Sequence, residues 1–372
     1  MSFERAGDDL LERVVNFLQV CAVTKIARTK RAPGSKVVEI AFSDSGAKPK
    51  SPTNLPESIV IEAADGCRLQ AFLWHQAAGD RETAPVVIIN PATSVACRYY
   101  FRFADYLFEN GFTVIAYDYR GIGGSRPATL RDFDACWIDW GRLDFDAVLQ
   151  HAAQSFPGRQ IHVVAHSVGG FVLGLAKSNH LISRVFTVGA QYAYWRDYAA
   201  GTKFRMIARW HVLMPLITVF YGYFPGKKLG WLEDTPKGIV RDWVFSRKRF
   251  EDTWRGRSSA RYANKQELVD QFAEVTAPTL AISVTDDEFG TIPAIERLLA
   301  YFKRSSTKHL RISPHSIGEL RIGHFGFFNS KYQRKLWQLP VEWLRSERLP
   351  SEFPVQIVSD RPPMSGPKRQ HE

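Results

Sequence analysis

A serine set between small residues, Ala165-His166-Ser167-Val168-Gly169, is the segment of this sequence whose residue types most clearly could do chemistry. Ile161–Ala165 before it is apolar and β-branched, as in a buried strand. Phe171–Ala176 after it suits a helix packed on a sheet. A strand that reverses sharply into a helix holds the residue at the reversal in a strained conformation, and bulk two positions away would collide. Ala165, Gly169 and Gly170 provide that room. The turn also places Ser167 at a helix N-terminus, where unpaired amides and the helix dipole favour a developing negative charge. A strand–turn–helix with an inert serine has the same local pattern, so the serine needs companions. Its hydroxyl is a poor nucleophile until a base takes the proton and an acid orients that base. Two later loops contain such groups: Thr285-Asp286-Asp287-Glu288 and Gly323-His324-Phe325-Gly326. We favour His324 over His315 because its flanking glycines suit a tight exposed loop, and Asp286 over Asp287 because it lies nearer the end of the preceding strand.

The surrounding elements give these loops a common scaffold. Ser58–Glu62 and Arg68–His75, separated by Ala64-Asp65-Gly66, read as a β-hairpin. Pro85–Ile89, a helix around Tyr99–Glu109 and Thr113–Tyr117 form a strand–helix–strand unit whose spacing implies a parallel crossover. A helix over 138–155 precedes the serine strand, and Arg184–Val188 follows it. For about eighty residues after Val188 the strand signal disappears, leaving tryptophans, arginines and Tyr/Phe pairs. It returns at Thr279–Val284, followed by a helix over 292–303, a strand over 309–313 and a helix from Tyr332 to Arg345. These elements predict an α/β fold.

Asp118-Tyr119-Arg120-Gly121-Ile122-Gly123-Gly124-Ser125 follows the strand ending at Tyr117. It is neither a dinucleotide fingerprint nor a P-loop. Together with the serine turn, the order Ser167, Asp286, His324 with each residue in a loop after a predicted strand, and the Asn90-Pro91-Ala92-Thr93 loop, it resembles the α/β-hydrolase superfamily. The resemblance covers about residues 58–346. It implies a mostly parallel central sheet flanked by helices, split by a mainly helical cap insertion over 191–270, with core segments over 57–190 and 271–348. It also implies a triad of Ser167, Asp286 and His324, without cofactor or metal. The oxyanion donors it implies are the amides of Val168 and, in the loop that usually reads His-Gly-x, Ala92, since Pro91 has no N–H. Cap aromatics would mostly form the cap's own core. The apolar segment Val212–Phe224 would line an acyl pocket or belong to that same core. His166 occupies the variable position of the turn, at the surface or just behind the site.

Composition sets the outer bounds. The chain has 372 residues, 45% hydrophobic and 23% charged, which is ordinary for a globular protein. Its longest apolar run, Val212–Tyr221, contains Pro215 and is too short to span a bilayer. The acidic residues near the N-terminus do not fit a signal peptide, so the expected location is cytoplasmic. Cys21, Cys67, Cys97 and Cys136 form no metal spacing and read as reduced thiols. Of the net charge of +11, residues 191–268 carry 15 Lys/Arg against seven Asp/Glu. Such a surplus can draw a protein to nucleic acid or an anionic membrane, but it more often forms a solvated face, and no nucleic-acid partner is expected. Residues 1–56 read as an amphipathic helix, a basic cluster and a linker. That helix has the pattern of one lying on a membrane surface and equally of one docked on protein. Residues 349–372 read as a disordered tail. The expected activity is hydrolysis of a carboxylic ester or thioester of a small-molecule acyl substrate. An acyltransferase with the same triad and a non-catalytic binding protein of the same fold are the alternatives.

Overall fold

The structure is a computed structural model and describes residues 55–75, 83–253, 262, 264–350 and 353–364. The N-terminal amphipathic helix, its basic cluster and most of the expected linker lie outside the described residues, as does Trp254.

Nine strands make the central sheet. β1 (Glu57–Glu62) and β2 (Arg68–Trp74) form the hairpin expected at Asp65-Gly66, with Gly66 at φ 80°. β3 (Val86–Asn90), α1 (Phe101–Glu109) and β4 (Thr113–Tyr117) form the expected parallel crossover. Both strands are buried at every position, which explains their unbroken apolar runs. The helix α2 (137–155) is interrupted by a π-helical stretch at Trp140–Phe145. β5 (Ile161–His166), α3 (Val168–Leu175) and β6 (Ile182–Val188) follow.

The insertion is mainly helical. Its long segment α4 (203–221) is π-helical over Ile207–Leu213. A short hairpin joins β7 (Tyr223–Phe224) to β8 (Thr235–Pro236), and α5 (Lys237–Val244) follows. α6 (Lys265–Ala273), which straddles the expected end of the insertion at 270, packs on the core. Its Phe272 ring packs so closely on α3 that a Cβ at Gly174 would lie 2.2 Å from it. The core then adds β9 (Thr279–Val284), α7 (Ile292–Leu299), β10 (Thr307–Ile312) and α8 (Gln338–Ser346). β11 (Gln356–Arg361) pairs antiparallel with β10, which corrects the reading of 349–372 as disordered throughout.

The strand order is β1-β2-β4-β3-β5-β6-β9-β10-β11, parallel from β4 through β10. Strand order reverses between β3 and β5. The C-terminal ends of strands on either side of such a switch open a crevice, where open α/β sheets bind ligands. Residues 90–94, 166–168, 189–193, 285–290 and 321–325 all follow strand ends or lie beyond them, so the loops flagged in the sequence converge there.

Candidate active site

Ser167 sits at φ 54°, ψ −122°, between the last residue of β5 and the first of α3. The left-handed φ is unfavourable for a residue with a side chain and persists only where the surroundings enforce it. Two contacts show how. The Ser167 amide donates to the Val188 carbonyl at 3.0 Å, and a Cβ at Gly169 would lie 2.4 Å from the Asn90 carbonyl oxygen. The small residues flanking the serine therefore let α3 press directly against the end of β3. As the opening residue of α3, Val168 presents an amide without an intrahelical partner.

His324 lies in a helical turn, Gly323–Gly326, and its Nδ1 meets Asp287 Oδ2 at 2.8 Å. This overturns the expectation for Asp286. The chain turns immediately after β9, with the Asp287 amide donating to the Val284 carbonyl at 3.2 Å, and the second aspartate is the one directed at the imidazole. Asp286 instead accepts the Ile322 and Gly323 amides at 3.0 Å and so holds the loop that carries His324. Asp287 is fully enclosed. Burial would raise its carboxyl, but the His324 charge and hydrogen bond, with the Gly290 and Phe289 amides, outweigh that and hold it below the usual range. Room for it comes from glycines on neighbouring loops. A Cβ at Gly189, where φ is 58°, would lie 2.9 Å from Asp287 Oδ2 and 3.1 Å from His324 Nδ1, and one at Gly290 2.5 Å from Asp287 Oδ2. The rings of His166, Phe289 and Phe325 pack around the His324 ring at 4.9–5.1 Å. His315 is exposed in a separate turn, Pro314–Ile317.

Ser167, Val168 and His324 line one cavity of about 410 Å³ with Ala92, Thr93 and residues of the cap. With Nδ1 engaged by Asp287, the imidazole has Nε2 available to accept a hydroxyl proton. Gln191, which the sequence did not flag, donates from Nε2 to Ser167 Oγ at 3.4 Å, while its Oε1 accepts the Ala193 amide. The serine oxygen thus receives a donor, leaving its own proton to be given away.

Ala92 is also corrected. Its amide donates to the Tyr100 hydroxyl at 2.9 Å, deep in the core. The next amide, that of Thr93, belongs to a residue lining the cavity and has no hydrogen-bond acceptor among the described residues. Asn90, which stands where the family usually has histidine, accepts from the Tyr117 hydroxyl at 3.0 Å and donates to the Gly169 carbonyl at 3.3 Å, tying β3, β4 and α3 together. The Tyr100 hydroxyl also meets His166 Nδ1 at 2.7 Å, and His166 Nε2 meets the His324 carbonyl at 2.9 Å. A carbonyl only accepts, so His166 carries its proton on Nε2, and its Nδ1 accepts a hydrogen bond from the Tyr100 hydroxyl. Burial and the nearby His324 push its pKa down to about 3, so it stays neutral. His166 is therefore a buried connector and not a surface residue.

Of the two places open to Val212–Phe224, pocket wall or interior of the insertion, the second fits, with Met214, Ile217 and Phe224 buried. Trp210, Trp231, Trp243, Met206 and Leu232 line the cavity, whereas Val212–Phe224 contributes no lining residue. Val219 and Phe220 are 80% and 75% exposed, so that face of α4 points to solvent. The hairpin end of the insertion is tied to the loop after β3: the Thr235 hydroxyl donates to Ser94 Oγ at 2.6 Å and the Glu233 amide to the Ser94 carbonyl at 2.9 Å. Asp118, in the glycine-rich stretch after β4, is also architectural, accepting the Cys97 amide at 2.6 Å and the Gly124 amide at 2.8 Å. No group of metal-ligating side chains occurs among the described residues, nor does any helix long and apolar enough to cross a membrane.

A strained serine between a sheet and a helix N-terminus, lining one cavity with a histidine–aspartate pair, is the site layout expected of an α/β hydrolase. The model of the alpha/beta hydrolase family matches residues 86–330, and the chain belongs to that family. Among solved structures it is similar to a soluble variant of monoglyceride lipase from Saccharomyces cerevisiae, solved with a substrate analogue. They share 16% identity over 80% of this chain and 97% of that one, with a TM-score of 0.53. An esterase from Pyrococcus furiosus is 14% identical over 84% of this chain and 99% of that one, at a TM-score of 0.49. At such identities the likeness to the yeast lipase is one of fold. No curated protein matches in sequence.

Proposed function

We propose that the chain is a serine hydrolase that cleaves a carboxylic ester or thioester through an acyl-enzyme on Ser167. The observation that carries this reading is the coincidence, in one cavity, of a serine at φ 54° with a histidine whose Nδ1 is held by a buried aspartate. Ser167 Oγ attacks the acyl carbonyl as His324 Nε2 takes its proton, and Asp287 stabilises the imidazolium that forms. The oxyanion is held by the amides of Val168 and Thr93, backbone donors that need no reorganisation as the charge develops. Collapse breaks the bond to the alcohol or thiol, which leaves with the proton from His324. Water, deprotonated by the same imidazole, then releases the acid and restores the hydroxyl. A fluorophosphonate probe tests the reading: wild type should gain one adduct by intact mass, mapped to Ser167, and Ser167→Ala should gain none. Equal labelling of the two, or none of wild type, would sink it.

A further inference from the structure

The cavity lined by Ser167 and His324 carries more positive charge than its own acids neutralise. Three guanidinium groups line it, those of Arg205, Arg209 and Arg321. Arg205 is paired with Glu288, and the other lining acid, Asp286, is occupied by the amides of its own loop. Arg209 has no ion pair among the described residues. Its guanidinium lies 3.9 Å from the centre of the Trp231 ring and 4.8 Å from that of Trp210. Stacking on an indole uses the faces of a guanidinium and leaves its N–H groups free at the edge, held in a plane. That planar fork matches a carboxylate or a phosphate. Arg209 also belongs to the π-helical stretch Ile207–Leu213, a backbone irregularity frequent at functional sites. It is exposed overall, so an incoming anion would meet it at the cavity mouth.

We propose that Arg209 is the anion-recognition residue of this pocket, and that the ester or thioester attacked by Ser167 carries a carboxylate or phosphate group within reach of it. The indoles of Trp210, Trp231 and Trp243 would then enclose the apolar segment between the anion and the scissile carbonyl. That the bound molecule is the substrate rests on the hydrolase reading; that the pocket selects an anion does not. The test is therefore one of binding. Full-length Ser167→Ala protein is titrated by tryptophan fluorescence with monomethyl adipate against dimethyl adipate, and with 2-phosphoethyl hexanoate against ethyl hexanoate. The first pair puts the charge on the acyl side and the second on the alcohol side.

At least one anionic compound should bind roughly ten- to a hundredfold more tightly than its neutral partner, the range expected for hydrogen bonds to a charged group. The preference should fall to about one when Arg209→Gln is added, recover in part with Arg209→Lys, and weaken with salt. Absence of a preference in both pairs, or one that survives Arg209→Gln, overturns the proposal. Fluorophosphonate labelling keeps the two readings apart. Labelled Ser167 without anion preference removes the subsite and leaves the hydrolase; Arg209-dependent binding without labelling does the reverse.

Discussion

Asp286 and Asp287 are neighbours in sequence, yet the geometry assigns them effects on turnover that differ by about three orders of magnitude. In Asp287→Asn, the amide oxygen should keep the Oδ1 position, because the Phe289 and Gly290 amides both donate there at 2.8 Å and an NH2 group would oppose them. The amide nitrogen then replaces Oδ2, 2.8 Å from His324 Nδ1. A donor at that place forces Nδ1 to accept and moves the imidazole proton to Nε2, where it blocks transfer from Ser167. Loss of the correct tautomer in a triad of this kind lowers kcat by about 10⁴, or about 5.4 kcal/mol in barrier. Asp286→Asn can keep its oxygen at the Oδ2 position, which accepts both the Ile322 and Gly323 amides, and loses the charge and the second acceptor for Gly323, where an NH2 group now stands. That should cost about tenfold through a looser His324 loop. Both variants would be assayed on p-nitrophenyl butyrate, with circular dichroism and thermal melts to establish folding. If Asp286→Asn is as inactive as Asp287→Asn, or if Asp287→Asn retains a tenth of wild-type turnover, the assignment of the acid is wrong.

The remaining expectations address folding and the cap. His162 and His166 are buried and each is pushed down to about 3 from an ordinary 6.5, chiefly by burial. The unfolded chain therefore binds more protons below pH 6.5, so the stability due to each neutral imidazole is present above that pH and is lost as pH falls toward 3. The slope is about 1.4 kcal/mol per pH unit per group. Urea midpoints from pH 7 to 4.5 should show this dependence, and His162→Leu should flatten it by one group. It should also raise the midpoint, because both ring nitrogens of His162 lack hydrogen-bond partners among the described residues; an unchanged slope would refute the point. Gly189→Ala adds a Cβ 2.9 Å from Asp287 Oδ2 at a positive φ, and should abolish esterase turnover and lower the melting temperature, whereas wild-type activity in this variant would contradict the packing. Val219→Ser and Phe220→Ser, on the exposed face of α4, should each change stability by less than about 0.5 kcal/mol and leave the dependence of kcat/KM on acyl chain length as in wild type. A shifted chain-length profile would return this segment to the pocket.

The sheet was legible because its interior strands are buried on both faces. Val86–Asn90, Thr113–Tyr117 and Thr279–Val284 appear in the sequence as apolar runs with nearly the boundaries they have in space. The turns at Ser167 and His324 were legible because their glycines are local requirements of sharp reversals. The errors share a different cause. Whether Asp286 or Asp287 faces the imidazole depends on the phase of a single turn, and residue type does not record it. Ala92 was misjudged because its amide is taken by Tyr100, a residue on a separate element. Gln191 is an unremarkable polar residue until β6 ends beside the serine. In the cap, aromatic composition predicts burial but not which indoles also face the cavity. The strand at 356–361 was missed because it lies at the sheet edge, with no position fully buried and hence no apolar alternation to announce it.

The connection from Ala92 through Tyr100 and His166 to the His324 carbonyl bears on how this site could be redesigned. Position 166 looks like the free letter of the serine turn, and a combinatorial library would ordinarily randomise it. Here that side chain must accept from a phenol on one side and donate to a carbonyl on the other, while remaining uncharged inside the core. Tyr100→Phe strands the Ala92 amide and His166 Nδ1, His166→Leu strands the Tyr100 O–H and the His324 carbonyl, and the double replacement strands the Ala92 amide and the His324 carbonyl, two groups where the summed singles imply four. The pair consequently behaves as one unit of information: its single substitutions are poor predictors of the double, and a search that samples the positions one at a time is directed away from the solutions that change both.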